Sequence, residues 1–479
     1  MITINRKRVL FFNAKREKCN STSPHLGLAM LAAVLKEKGH KVLVVDYQFK
    51  HTAPSPETFI KDFNPDVLGV TLYTATIHEA NKIINNVSNS NIPIMVGGPH
   101  ATLYYDELST DNRLDYIIRG EAENLIEEIV QNAKHQSKSQ IITVKPPDVE
   151  NLIYPDFTSF FKYKEISGYP LSTSRGCPHN CSFCAIHLLS SRKWRPRKPD
   201  DCIIEVMEAK RRLLNLASVT IYDDNSMVRK EHIKDLLKRY INKNIDLPIT
   251  ISNTRADGLD EEIIVLLKKA KCPNIGLGVE HGHPEVFKQT GKGETLEDIK
   301  KAAKLIKKYK MSLFLCFVIG LEGDSLEKTK YSINLAKELK PDHIYWNMIT
   351  PFKGTRIREW YDQHGRIFNV INHSSYVDGN FMCDEPCAET PDFGIEERKK
   401  AYLMAIMETN DIRLKLKSIP RLIPYVTKYK LYREFFYWLP NRIKKNFVLF
   451  ISLVHKGLRI YKEKGMKELK KRSYYYFVR

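Results

Sequence analysis

Short apolar runs separated by helical stretches fill the first third of the chain. Val9-Leu10-Phe11-Phe12 is the first run and Lys41-Val42-Leu43-Val44-Val45-Asp46 the second. Asp66–Thr71, Ile92–Val96 and Leu114–Ile118 follow, each after room for a helix. Leu26–Lys38 carries its apolar residues at helical spacing and stops at Gly39. Short apolar runs suit strands covered on both faces. Their alternation with helices predicts an α/β fold, with a doubly wound, Rossmann-like parallel sheet over residues 1–145. Ligands of such sheets bind beyond the carboxyl ends of the strands. Glycines and small polar residues gather there: Leu26-Gly27, Thr71-Leu72-Tyr73, Gly97-Gly98-Pro99-His100 and Gly120-Glu121-Ala122-Glu123. The pattern alone also fits a flavodoxin-like response domain.

Pro146, Pro147 and Pro155 mark residues 146–166 as a linker. A strand-and-helix pattern then repeats six times. Strands are expected at Pro170–Ser174, Ser218–Tyr222, Ile249–Asn253, Ile275–Val279, Ser312–Ile319 and His343–Asn347. Six units predict a partial (β/α)6 barrel over 167–370, whose functional residues should collect at the carboxyl ends of its strands. Polar residues do collect there: Asp223-Asp224-Asn225, Thr254-Arg255, Gly278-Val279-Glu280-His281-Gly282, Gly320-Leu321-Glu322-Gly323-Asp324 and Thr350-Pro351-Phe352-Lys353-Gly354-Thr355. Each alone reads as a cap or turn; five in register argue for a site. Cys202, Cys272 and Cys316 fall inside element patterns and read as packing residues.

Composition bounds the answer. A chain of 479 residues, 43% apolar and 28% charged, suits two or three globular domains. No apolar stretch reaches the ~18–20 residues that span a bilayer. Met1–Arg8 leads straight into the first strand, and nine cysteines with three in one loop suit a reducing compartment, so a cytoplasmic location is expected. Charge changes the picture only at the C-terminal end. The whole chain carries +20, and residues 411–479 hold nineteen Lys/Arg against four Asp/Glu, a net of +15. Residues 371–479 thus form a helical, basic region with the apolar runs Phe435–Pro440 and Phe447–Val454. This mix reads as an amphipathic segment on anionic lipid, which would make the protein membrane-associated. It also reads as an RNA groove or as a helical cap with a solvated basic face. The rest of the chain is only mildly basic, so a nucleic-acid partner is not expected.

The most specific chemistry lies in Ser174-Arg175-Gly176-Cys177-Pro178-His179-Asn180-Cys181-Ser182-Phe183-Cys184. Three thiolates at C-x3-C-x2-C can hold three corners of a cubane iron–sulfur cluster and leave the fourth iron open to a small molecule. Zinc would recruit a fourth ligand, for which His179 and His187 stand near. A looser pair, Cys383 and Cys387, could bind a further metal, act as redox thiols or sit in a loop that closes the site.

With Phe183 just before its third cysteine, this loop resembles that of the radical SAM enzymes. The region ahead of it resembles the cobalamin-binding domain of cobalamin-dependent radical SAM enzymes. The likeness runs from residue 8 to about residue 360. It implies a [4Fe-4S] cluster on Cys177, Cys181 and Cys184, with S-adenosyl-L-methionine (SAM) chelating the open iron. Phe183, Asp223, Asp224, Arg255, Glu280 and Gly320 are its implied SAM contacts. Leu26, Gly27, Thr71, Leu72, Tyr73, Gly97, Gly98, Gly120 and Glu121 are its implied cobalamin contacts. The implied reaction is methylation of an unreactive carbon or phosphorus centre in a small-molecule or lipid substrate. A 5′-deoxyadenosyl radical abstracts hydrogen, methylcobalamin delivers the methyl group, and a reductant such as flavodoxin or ferredoxin supplies the electron. Radical cyclisation or rearrangement, and a non-catalytic corrinoid or cluster sensor, are the alternatives. One departure matters: the D-x-H-x-x-G loop that places a histidine below cobalt is missing. Ser23 stands at its Asp position, His25 is present, and Gly27 comes one residue early. The family likeness then implies cobalt without a histidine below it. A tRNA methylthiotransferase is disfavoured, because the N-terminal region has only Cys19.

Overall fold

The structure, a computed structural model, describes residues 6–16, 21–49, 52–368, 386–409, 411 and 419–443. Its first unit is a six-stranded parallel sheet of β1 (Arg8–Asn13), β2 (Lys41–Asp46), β3 (Val67–Thr71), β4 (Ile94–Gly97), β5 (Tyr116–Arg119) and β6 (Gln140–Thr143), in the order β2-β1-β3-β4-β5-β6. Alternate residues of β1 feed opposite cores. Val9 and Phe11 pack with the helices Leu26–Glu37 and Ile126–Gln131, while Leu10 and Phe12 pack with Pro56–Phe63 and Ile77–Val87. With both faces covered, β3 is buried at every position. The strand order reverses between β1 and β3, which opens the crevice such sheets use for ligands. Strand β6 escaped the sequence reading because it is a largely exposed edge strand with little apolar signal.

Residues 146–166 pack tightly between the two units. Phe157 and Phe160 enter the main core, the Phe157 ring meets Tyr169 edge-on at 5.3 Å, and Phe161 N–H donates to Val44 O at 2.8 Å. Lys36 Nζ pairs with Asp156 at 2.7 Å.

The second unit begins with β7 (Gly168–Leu171). The first barrel strand ends earlier than its apolar pattern suggests, because the backbone N–H groups of Thr173 and Ser174 turn towards Asp223. The chain re-forms as β8 (Ser174–Arg175), antiparallel to β9 (Arg195–Pro196). Strands β10 (Ser218–Ile221) and β11 (Ile249–Ile251) join β7 in one parallel sheet. Strands β12 (Asn274–Glu280), β13 (Ser312–Ile319) and β14 (His343–Met348) form another, and the two adjoin at β11 and β12. These strands alternate. Leu313, Leu315, Phe317 and Ile319 are buried against the helices, whereas Phe314, Cys316 and Val318 are half exposed on the other face. That second face lines a lumen, shared with Thr220, Thr250, Gly276, Gly278, Tyr345 and Asn347. Cys202 and Cys272 are buried packing residues, while Cys316 belongs to the lumen.

The helices Ile395–Glu408, Ile419–Tyr429 and 432–443 close the barrel on its outside. Leu422, Val426, Leu431 and Trp438 join the main core. The described part of the basic region is therefore a packed cap. Phe447–Val454 and Cys383 lie outside the described residues.

Candidate active site at the mouth of the barrel

The cysteine loop leaves β8 through Gly176, whose φ is 82° and whose added Cβ would run into the Lys193 carbonyl. Only glycine fits that turn. Ser182 N–H donates to Thr290 O at 2.7 Å, and Ile357 N–H to Ser182 O at 2.9 Å, so elements of the far barrel wall fix the loop. Phe183 anchors it by packing against a small apolar cluster that includes Leu321 and Ile349, residues just beyond β13 and β14. Cys177, Cys181 and Cys184 are all half exposed. Burial, and then the neighbouring Cys184, push the Cys181 thiol up to about 12. Burial, and then Cys177, raise Cys184. Thiols bind metal as thiolates, so a bound cluster would displace these protons. Among the described residues no three Cys, His, Asp or Glu side chains converge tightly enough for a single ion. A cubane takes one iron per thiolate, so three cysteines in one loop can hold three of its irons. Asn225 Nδ2 lies 3.8 Å from Cys177 Sγ, as a donor to that sulfur.

Other strand-end residues are brought to the same mouth, some in unexpected roles. Asp223 is fully buried, and its two oxygens accept from Thr173 N (2.6 Å), Thr173 Oγ1 (2.5 Å), Ser174 N (3.0 Å) and Ser174 Oγ (2.8 Å). A carboxylate with four donors braces the turn into the cysteine loop, which does not fit the expected contact with the SAM amine. Asp224 accepts from Gly176 N–H at 2.7 Å, and burial raises its pKa. The Arg255 fork, expected to meet the SAM carboxylate, is closed on Asp257 at 3.0 and 2.6 Å, with Nη1 on Lys292 O at 2.7 Å.

Glu280 sits at a bulge at the end of β12 with φ 63°, an uncommon conformation for a residue with a side chain. Its carboxylate pairs with buried Lys292 at 3.1 Å, and Lys292 also pairs with Glu294 at 2.7 Å. Next to it, His281 Nδ1 accepts from His283 N–H at 3.0 Å. The proton then lies on Nε2, which faces Asp324 at 3.0 Å. Asp324 in turn accepts from Gly320 N–H at 2.8 Å, tying the ends of β12 and β13 together. Cys387 is buried, donates to Ile349 O at 3.3 Å, and has its thiol pushed up to about 12 by burial.

In the first unit the predicted loops line the crevice beyond β1, β3, β4 and β5. Gly98 has φ 96°, and a Cβ there would lie 2.8 Å from Thr71 Oγ1, so the ends of β3 and β4 close up only with glycine. Leu72 N–H donates to Gly97 O at 2.8 Å. Leu26 and Gly27 open the first helix, capped by His25 Nδ1 accepting from Leu28 N–H at 3.0 Å. His25 Nε2 then carries the proton and meets Tyr73 Oη at 2.9 Å. Burial lowers the His25 pKa and keeps the ring neutral. Neither nitrogen offers a lone pair to a metal, which suits a corrin held without a histidine below.

Glu121, predicted to meet cobalamin, instead reaches the second unit. It accepts from Arg175 Nη1 at 2.7 Å, Ser190 Oγ at 2.7 Å and Arg195 Nη1 at 3.1 Å, and also pairs with Arg195 Nη2. Glu123 takes the other arm of Arg175 at 2.7 Å. Burial would raise the Glu121 pKa, but the guanidiniums of Arg195 and Arg175 hold it below its ordinary value. Lys353, after β14, pairs with Asp106 to form a second link between the units. The sequence reading placed Glu123 and Asn225 in strand-end runs and Arg175 beside the cysteines without giving any of them a role, and it missed Lys292 and Glu294. The Thr290-Gly291-Lys292-Gly293-Glu294 run did carry a signal, a lysine between two glycines of positive φ.

Comparison with known proteins follows the same division. The B12 binding domain model matches residues 16–130, and the Radical SAM superfamily model matches residues 171–336. The chain is thus a radical SAM protein with an N-terminal B12-binding domain. An uncharacterized methyltransferase of Pyrococcus horikoshii is 28% identical over 375 residues, covering 73% of this chain and 80% of the relative. The anaerobic magnesium-protoporphyrin IX monomethyl ester cyclase of Rubrivivax gelatinosus is 24% identical over 361 residues, 69% of this chain and 64% of that protein. The radical S-adenosylmethionine methyltransferase TsrM of Kitasatospora setae, solved with cobalamin and a [4Fe-4S] cluster bound, superposes with a TM-score of 0.62. It is 17% identical, covers 74% of this chain and 77% of its own, and shows the shared fold.

Proposed function

We propose that this chain is a cobalamin-dependent radical SAM methyltransferase acting on an unactivated carbon or phosphorus centre of a small-molecule or lipid substrate. One observation carries the reading. The cysteine loop at the barrel mouth is held directly against the carboxyl edge of the B12-binding sheet by Arg175, Glu121 and Glu123, which supports a cluster and a cobalamin held side by side. When bound, the cluster and cobalamin supply, respectively, the electron that cleaves SAM and the carrier for its methyl group.

This chain's own residues bind and aim. Cys177, Cys181 and Cys184 hold three irons, and Asn225 donates to the Cys177 sulfur. Glu280 and Asp224 present carboxylates at the mouth where SAM would lie, while Asp223 and Arg255 brace the loops behind them and Gly320 is hydrogen-bonded to Asp324 and Tyr361. Leu26, Gly27, Thr71, Tyr73, Gly97, Gly98 and Gly120 would line the crevice for the corrin and its tail, whereas Leu72, expected there too, is a fully buried core residue behind it. A one-electron donor such as flavodoxin or ferredoxin completes the system.

The test uses anaerobically reconstituted full-length protein with reductant and methyl-deuterated SAM. It should release 5′-deoxyadenosine and move deuterium into a product drawn from a metabolite and lipid extract. Replacing Cys177, Cys181 and Cys184 with Ala should abolish both. The cyclase among the relatives favours radical cyclisation as a second reading, and 5′-deoxyadenosine without label transfer would select it.

A lipid surface as partner has separate support. Tyr432, Phe436, Pro440 and Ile443 form an exposed apolar stripe on the helix 432–443, beside exposed Lys428, Lys430 and Arg433. Among the described residues no helix is long and apolar enough to cross a membrane. Sedimentation with anionic vesicles should be strong at low salt and weaken as the Debye length falls from ~10 Å at 0.1 M to ~3 Å at 1 M. Phe436→Ser should reduce it at either salt. Equal binding of neutral vesicles, or none of anionic ones, would remove the membrane from this reading.

A further inference from the structure

We infer that Glu121 is a positioning residue for the cluster loop: a staple from the B12-binding domain across the neck of that loop. This rests on the reading that Cys177, Cys181 and Cys184 hold a cluster.

The loop departs at Arg175 and returns at Arg195, two residues paired directly across β8 and β9. Both guanidiniums and the Ser190 hydroxyl converge on the one Glu121 carboxylate, and Glu123 takes the remaining arm of Arg175. The four charged side chains are at most 16% exposed. Two cations and two anions balance in a nearly dry place, where charge-assisted hydrogen bonds are strong and direction-dependent. Removing such groups from water offsets much of that attraction, so the network contributes less to stability than to a fixed geometry.

No slack separates this staple from the sulfur. Gly176, between Arg175 and Cys177, is locked by its positive φ, by the Lys193 carbonyl and by its own N–H on Asp224 at 2.7 Å. Cys177 N–H is bonded to Ser191 O at 3.2 Å. On the other side, Gly120 has φ 93°, and a Cβ there would lie 3.0 Å from Val144 O, which fixes where Glu121 leaves β5. A shift of the B12-binding sheet edge is therefore passed to the first cysteine without a flexible joint. Loss of outer groups that orient metal ligands commonly costs about 10–100-fold in metal affinity.

The experiment compares wild type, Glu121→Gln and Arg175→Lys as full-length, anaerobically reconstituted proteins. Three quantities are read: the rate of iron loss to a ferrous chelator, the EPR line shape of the reduced cluster with SAM, and cobalamin retained through gel filtration. Glu121→Gln, nearly the same shape without the charge, should lose iron about tenfold faster. Its EPR line shape should change while cobalamin stays at the wild-type level. Arg175→Lys keeps a cation but loses the two-armed fork, and should act in the same direction; it serves alone if Glu121→Gln does not fold. Lower cobalamin retention with unchanged iron loss would make Glu121 a corrin contact and overturn the inference. Unchanged behaviour in all three quantities would overturn it too. Failure of the underlying reading looks different: the triple cysteine variant would keep its iron.

Discussion

The two parallel sheets of this protein are built from the same strand-and-helix repeat but bury their residues in opposite ways. In the B12-binding sheet β3 is buried at all positions, because helices cover both faces. In the barrel, β13 alternates buried and half-exposed residues, because helices cover only the outside. The inner strands of the first sheet leave only their ends open, so a ligand of those strands lies across that edge. The second has an accessible lumen as well as a rim, so a cofactor and a substrate can lie within it. Under the proposed function the first region holds and the second reacts, and the two regions touch at the Arg175 contacts.

Substitutions of matched aromatic residues test this contrast most strongly. Phe12→Ala, in the doubly covered sheet, should destabilise the protein by about 3–5 kcal/mol in urea unfolding. Phe314→Ala, facing the lumen, should cost roughly 1 kcal/mol, mainly its edge-to-face pair with Tyr345 at 4.9 Å. Equal losses would mean that the lumen is simply more core. Acid should test buried His100 next. Burial lowers the His100 pKa to about 4, against 6.5 for the free side chain. The unfolded chain then takes up a proton before the folded one, so stability is lost as pH falls from 6.5 to 4. The loss is at most about 3 kcal/mol at 1.36 kcal/mol per unit. His100→Gln should flatten that slope; an unchanged slope would place its origin elsewhere. The smallest expected effect is none at all. Protein loaded with hydroxocobalamin and reduced by one electron should give an EPR spectrum without nitrogen splitting. His25→Asn, which keeps a capping side chain, should leave that spectrum unchanged. Splitting that disappears in the variant would mean that His25 leaves Tyr73 to bind cobalt.

Much of the architecture was legible because the strands repeat a strong local signal. Lys41–Asp46 and Ser312–Ile319 have the bounds their apolar patterns suggest. The edge strand β6 was hidden because its residues are largely exposed and carry no apolar alternation. Segment 146–166 read as a connector because proline marks turns, whether or not the turns are packed. In the site, the cysteine spacing is local and could be read directly. The roles of Asp223, Arg255 and Glu121 could not. Each residue is at a strand end, as expected, but which partner it faces is set by contacts 50, 37 and 54 residues away in sequence. Residue type and spacing locate such a group; only the fold says whether it faces a ligand or its own protein.

The Arg175 contacts also bear on where this chain can be cut or recombined. As text, the barrel is a self-contained module beginning near residue 167. As an object it is not, because a fragment lacking the first unit would carry a guanidinium stripped of both its counter-ions. A chimaera that borrows the B12-binding unit of a distant relative would meet the same mismatch unless that unit supplies carboxylates where Glu121 and Glu123 stand. The natural unit of exchange is therefore the first sheet together with both ends of the cysteine loop, a boundary that crosses the one drawn by domain order.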